Sequence, residues 1–162
     1  MNEENLAHFA RNEFKRAVAD FAKTNPQESL LRFYRRLDAA SEGAIQAAGR
    51  KPACRHGCAY CCYYKVEARA LEVLVIHEFV RRHFSQEQLQ HAIDQATHNV
   101  EEAKNLSHVE HLATNQRCPF LVEGGCSIYP VRPAKCRNFH ASDVDGCKAS
   151  YDEPTNLNIP NS

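Results

Sequence analysis

The chain has 162 residues, 43% of them hydrophobic, and its 20 basic and 20 acidic side chains cancel. That length suits one domain with a core of ordinary size, and the neutral balance excludes a global field that would draw nucleic acid or an anionic membrane. The outlying number is eight cysteines, four of them within the nine residues Cys54-Arg55-His56-Gly57-Cys58-Ala59-Tyr60-Cys61-Cys62, the others at Cys118, Cys126, Cys136 and Cys147.

The first ten residues are polar and slightly acidic. An export signal needs instead a basic start followed by an apolar stretch of about ten residues. The most apolar window, Ala68 to Val80, is interrupted by Arg69, Glu72, His77 and Glu78. It is also too short to span a bilayer, which takes roughly 20 residues. A cytoplasmic protein without a membrane partner is expected. Leu6, Phe9, Ala10, Ala17, Val18 and Phe21 recur at spacings of three and four, which predicts an amphipathic helix. Thr24-Asn25-Pro26 ends it and starts a second helix, with Pro26 where a missing N–H costs nothing and a stripe of Leu30, Phe33, Tyr34, Leu37, Ala44, Ile45 and Ala48. Arg32, Arg35 and Arg36 on this helix read as a solvated face rather than a nucleic-acid footprint, because Glu28, Asp38 and Glu42 accompany them.

Gly49 and Pro52 mark a loop that the cysteine cluster closes. A third helix is expected over residues 67–83, apolar over much of its circumference through Leu71, Val73, Leu74, Val75, Ile76, Phe79 and Val80, and hence central. Ser85-Gln86-Glu87-Gln88 is a capping box that opens a fourth helix to about Leu106. Its stripe is Leu89, Ala92, Ile93, Ala96, Val100 and Ala103, with His91 and His98 on the polar side. After Thr114 two short apolar runs flank Glu123-Gly124-Gly125, the pattern of a small hairpin. Pro133 then opens a short helix with Ala134, Cys136, Arg137 and Phe139. The expected fold is mainly α, a small helical bundle with a cysteine-rich metal-binding loop region and one short β-hairpin. Residues 1–150 form a single domain on this reading, with a helical pair over 1–49, a cysteine-cluster region over 50–147 and a flexible tail over 151–162.

In a reducing compartment, clustered cysteines serve as metal ligands or redox groups more often than as disulfides. Cys54-x3-Cys58-x2-Cys61 places three thiolates on one loop, and Cys58-x2-Cys61 fits one arm of a tetrahedral zinc site. The same three-cysteine spacing holds a [4Fe–4S] cluster in radical-S-adenosylmethionine enzymes, so an iron–sulfur centre is chemically reasonable. That enzyme family itself is excluded, because its fold alternates strands and helices whereas helix follows Cys62 here. Cys61 and Cys62 are neighbours whose side chains diverge in most backbone conformations, so one of them is expected to bridge, to join a second site or to be a reactive thiol. Residues 63–117 hold two predicted helices, which must fold back to bring Cys118, Cys126, Cys136 and Cys147 to the first cluster. Arg50, Lys51, Arg55 and Lys65 flank that cluster, and Arg132, Lys135 and Arg137 stand beside Cys136. Such cations either hold thiols deprotonated or are plain solvated loop charges.

Taken together, Cys54-x3-Cys58-x2-Cys61-Cys62, Cys118-Pro119-Phe120-Leu121, Gly125-Cys126-Ser127-Ile128-Tyr129, Arg132-Pro133-Ala134-Lys135-Cys136-Arg137 and Cys147 form a distinctive set. Over about residues 50–147 the chain resembles the YkgJ-type cysteine-cluster proteins, a family described as zinc- or iron-chelating. The resemblance implies metal binding, with zinc and iron–sulfur both proposed for such proteins. Some relatives resemble flagellin lysine N-methylases, where the domain is part of a larger enzyme, although this sequence has no glycine-rich strand-to-helix turn for a nucleotide-like cofactor.

The leading expectation is a metal-binding protein whose ligands are Cys54, Cys58, Cys61, Cys62, Cys118, Cys126, Cys136 and Cys147, holding an iron–sulfur cluster or Zn2+. The alternatives are a methyltransferase-like enzyme with Tyr60, Tyr63, Tyr64, Arg132 and Arg137 as pocket residues, or a thiol redox catalyst using the Cys61-Cys62 pair.

Overall fold

The computed structural model describes residues 3–49 and 51–155, with side chains from Ala7 onward. The side chain of Leu6, all of Arg50 and residues 156–162 of the expected tail lie outside what is described. The fold is mainly α, and one two-stranded antiparallel sheet accompanies the helices among the described residues. No helix there is long and apolar enough to cross a membrane.

Helix α1 (Glu3–Phe21) and α2 (Pro26–Ala48) form the expected pair. Asn25 caps α2 by accepting the Glu28 N–H at 2.9 Å. Gly49 closes the helix at φ 63°, a left-handed position that glycine occupies without strain. What joins the two helices is charge. Arg36 donates to Glu13 at 2.7 Å and to Asp20 at 2.9 Å, while Arg32 bridges Asp20 and Glu28. Glu13 is buried, so the arginines expected to form a solvated face include an interhelical clamp. The apolar stripe of α1 correspondingly faces outward, with Val18 and Phe21 exposed together with Phe14. Arg36→Ala leaves the buried carboxylate with exposed Arg16 alone. The expected loss is about 2 kcal/mol, that of a charged hydrogen bond. Faster amide exchange confined to α1, with α3 unchanged, is the expected readout.

Helix α3 (Ala70–His83) starts three residues later than the apolar pattern suggests. The Glu72 carboxylate sets that start by accepting the Arg69 N–H at 2.8 Å. Only one face of α3 is covered: Val75 and Ile76 are buried with Ile128 and Val131, while Val73 and Leu74 are exposed. The helix is therefore one wall of the core rather than its axis. Leu30 and Leu31 of α2, and Phe79, Val80, Phe84 and Phe120, close around that cluster. Helix α4 (Gln86–Ala103) begins with the capping box read at Ser85 and Gln88. Of its stripe, Ala92 is buried whereas Ile93 and Val100 face solvent, because α4 is anchored by side-chain amides. Asn99 donates to the Arg117 carbonyl and Gln116 to the Asn99 carbonyl, both at 2.8 Å. His91 and His98 are exposed as expected.

Helix α5 (His108–Leu112) follows on a second capping box, Ser107 with Glu110. The hairpin is present as β1 (Leu121–Val122) and β2 (Gly125–Cys126), with Leu121 opposite Cys126. Its two turn residues are Glu123, with φ 49, and Gly124, with φ 75. Positive values at both positions match the twist of paired strands. A 3-10 turn over Tyr129–Val131 leads through Pro133 into α6 (Ala134–Arg137), and α7 (Val144–Asp152) completes the described chain. Tyr151, where the tail was expected to start, is in α7.

Candidate metal centre

From Lys51 the chain runs as an irregular loop to a 3-10 turn, Tyr60–Tyr63, that carries Cys61 and Cys62. The loop turns at Gly57, whose left-handed backbone suits glycine. The Cys58 N–H closes the turn on the Arg55 carbonyl at 3.0 Å. Gly124 of the hairpin tip lies against it: a β-carbon on Gly124 would sit 3.4 Å from Gly57 Cα. The hairpin and the cysteine loop thus meet backbone to backbone.

Two further seams join the distant cysteines. In the first, the Cys118 N–H donates to the Cys62 carbonyl at 2.8 Å and the Gln116 N–H to the Tyr63 carbonyl at 3.3 Å. Residues 63–117 do fold back, as their position between the two cysteine groups requires. In the second, the Ala53 N–H donates to the Ala141 carbonyl at 2.8 Å, the Ala141 N–H to Cys54 Sγ at 3.5 Å, and the Tyr64 hydroxyl to the Cys147 carbonyl at 3.2 Å. Tyr60 and Tyr63 pack on Tyr151, with ring centroids 5.7 Å and 5.0 Å apart, and Tyr64 packs edge-on against Phe139. These tyrosines hold α7 to the 3-10 turn.

All eight cysteines are free thiols: Cys54 is exposed, Cys147 is buried, and Cys58, Cys61, Cys62, Cys118, Cys126 and Cys136 are half-buried. As the side chains stand, no three Cys, His, Asp or Glu groups among the described residues are gathered as a metal site. The backbone bonds above nevertheless join the segment of Cys54–Cys62 to those of Cys118, Cys126 and Cys147. In kind the donors fit zinc or an iron–sulfur centre, since both favour thiolate ligands and Zn2+ takes four.

Cys61 and Cys62 do not diverge. The Cys61 thiol donates to the Cys62 sulfur, which raises the pKa of Cys61, with burial adding to the rise, and lowers that of Cys62. Burial pushes Cys118, Cys126 and Cys147 up, and Cys136 up to about 11. Arg132 opposes the rise at Cys126 and Cys136 without overcoming it. Arg132 thus acts on these thiols in the expected direction, and at Cys126 and Cys136 desolvation is the larger effect.

Three of the flanking cations, Lys65, Arg132 and Arg137, have structural partners. Lys65 Nζ is tied to the Thr114 carbonyl and Gln116 Oε1, both at 2.8 Å. The Arg132 guanidinium lies 3.7 Å from the centre of the Tyr129 ring. That distance makes a cation–π contact. Arg137 is buried, stacks on Tyr34 at 4.1 Å and donates to Asp38 at 2.6 Å, to the Arg132 carbonyl at 3.0 Å and to the Pro130 carbonyl. Arg137 therefore braces the 130–137 segment.

Sequence reasoning missed Glu72. It is buried, and its carboxylate accepts the Tyr34 hydroxyl at 2.9 Å, the Arg69 N–H and the Ala134 N–H, each N–H at 2.8 Å, tying α2, α3 and the start of the Cys136 helix together. Its signal was an acid inside the apolar window, at a helix third position where a capping carboxylate belongs. Helix α7 was missed too, although Asp143 caps it and Val144, Cys147 and Tyr151 keep helical spacing.

Comparison with known families extends this picture. A family model described as "Putative zinc- or iron-chelating domain" matches residues 53–157. Searches of curated proteins and of solved structures returned no match. The description supports metal binding in general, and the matched span contains all eight cysteines and more than half of the chain. With the converging thiols as its structural counterpart, the chain belongs to the CxxCxxCC family.

Proposed function

We propose that this protein is a single-domain metal binder of the reducing cytoplasm, whose cysteine thiolates hold zinc or an iron–sulfur cluster. The observation that carries the reading is the Cys118 N–H bond to the Cys62 carbonyl at 2.8 Å. It docks the hairpin segment on the first cysteine cluster, so ligands far apart in sequence face one region. Thiolates are soft donors that select zinc and iron–sulfur centres over hard cations such as Mg2+ and Ca2+. Metal uptake would displace the protons that burial keeps on several of these thiols.

Anaerobic purification followed by a visible spectrum and assays of iron, zinc and acid-labile sulfide tests the reading. A brown protein with matched iron and sulfide assigns a cluster, and a colourless protein with stoichiometric zinc assigns a zinc centre. Cys58→Ser and Cys136→Ser are each expected to lower the metal-to-protein ratio. A ratio unchanged in either variant removes that cysteine from the ligands, and protein that takes up neither metal refutes the reading.

A further inference from the structure

Eight thiols exceed the four that one zinc ion or one cubane cluster takes from its protein. The way the backbone distributes them separates two groups. Cys62 and Cys118 are joined by the 2.8 Å bond between their peptides, and the Cys118 carbonyl accepts the Leu121 N–H at 3.1 Å. Leu121 stands opposite Cys126 in the hairpin, and Cys126 packs against the buried cluster of Val75, Ile76, Ile128 and Val131. Cys136 sits in α6, whose first N–H is held by Glu72. These four cysteines are attached to the apolar core.

Cys54 and Cys147 belong to a different seam, the one made by Ala53, Cys54 and Ala141 and by Tyr64 with the Cys147 carbonyl, and Cys58 follows Cys54 on the same loop. It opens to the surface at Cys54, which is exposed. Electrostatic neighbourhood follows the same division: the thiols that weigh most on Cys147 are Cys54, Cys58 and Cys61, and those that weigh on Cys62 beyond its neighbour are Cys118, Cys126 and Cys136. Cys61 lies within reach of both groups, and its thiol touches Cys62.

We infer that the eight cysteines form two four-thiolate centres: an inner one of Cys62, Cys118, Cys126 and Cys136 on the core, and an outer one of Cys54, Cys58, Cys61 and Cys147 at the surface, adjoining at the Cys61–Cys62 peptide. This rests on the metal-binding reading above and adds the number and the membership of the centres. It also gives the vicinal pair a purpose, since consecutive residues of a tight turn can each close a different site. The outer centre draws two ligands from the loop, one from the 3-10 turn and one from α7; the inner centre draws one from the same turn, two from the hairpin segment and one from α6.

The test uses reduced, metal-free full-length protein titrated with Cd2+ under anaerobic conditions, with native mass spectrometry for stoichiometry and 113Cd NMR for the ligand environment. Wild type is expected to saturate at two ions with two resonances. Cys54→Ser/Cys147→Ser should keep one ion, with the resonance of the inner centre retained, and Cys126→Ser/Cys136→Ser should keep the other. Cys54 is exposed and a serine hydroxyl there can still accept the Ala141 N–H, so loss of one resonance in single Cys54→Ser, with the amide spectrum otherwise retained, decides the matter should an inner variant unfold. Saturation at one ion, or at more than two, overturns the partition while leaving metal binding in place. So does disturbance of both resonances by Cys54→Ser. No uptake by wild type refutes the metal-binding reading itself.

Discussion

Removing metal with a chelator under reducing conditions is expected to unfold the cysteine region while the helical scaffold of α2 and α3 persists. The elements that carry the thiols and lie between them are short: two strands of two residues each, two 3-10 turns, α6 of four residues and α7 of nine, with Cys54, Cys58 and Cys118 on loops. Isolated helices below about 12 residues are marginal in water, and a lone two-stranded hairpin is no better. Apolar burial there rests on few side chains, chiefly Leu121, Ile128, Val131 and Ala141. On the zinc-finger scale, thiolate–metal bonds contribute about 10 kcal/mol or more to folding. Amide exchange provides the readout. In the chelated protein the Cys118, Leu121 and Ser127 amides should lose protection, whereas the α3 amides around Ile76 should keep theirs. Unchanged exchange and an unchanged melting temperature after complete metal removal would sink this expectation.

The second large effect is expected at Glu72. Its two oxygens accept three donors from three different elements, a task that needs a carboxylate. Burial alone would raise its pKa, but the Ala134 and Arg69 N–H groups and the Tyr34 hydroxyl bring it below the ordinary glutamate range. In Glu72→Gln the amide oxygen can serve Tyr34 and Ala134, and the amide nitrogen then faces the Arg69 N–H donor to donor. Leaving such a buried donor unsatisfied costs about 1–3 kcal/mol. Urea denaturation at neutral pH should show that loss, and metal content should fall with it, because the Ala134 N–H orients the helix of Cys136. The sign with pH follows from the depressed pKa: this stabilisation is present above the unfolded glutamate pKa of about 4.3 and is lost as pH falls through the folded value. The stability gap between wild type and Glu72→Gln should therefore narrow in acid. A gap that stayed constant into strong acid would show that ionisation of Glu72 is not the cause.

Helix positions were legible wherever a local device was written into the chain. The Asn25-Pro26 start, the Ser85 capping box, the hairpin at Glu123-Gly124 and the Pro133 start all act over a few neighbouring residues, and each is present. The direction in which apolar faces point was less legible. Hydrophobic periodicity shows that Val18, Phe21, Val73, Leu74, Ile93 and Val100 are on stripes, but not that the neighbouring element attaches elsewhere. On α1 the attachment is the Glu13–Arg36 clamp, and on α4 it is the Asn99 amide, so those stripes remain exposed. The convergence of the cysteines could be inferred from their number. Which sulfur lies beside which could not, because it depends on long-range bonds such as Cys118 to Cys62 and Tyr64 to Cys147.

The meeting of Gly57 and Gly124 carries one more consequence. A β-carbon on Gly124 would point at the Gly57 backbone, and beside it the His56 ring lies against Gly125, so the loop of Cys54 and Cys58 meets the hairpin of Cys126 through main-chain atoms and one imidazole. At Gly124 the positive φ strains any side chain, so this close pairing of the cysteine loop with the hairpin depends on glycine at that position.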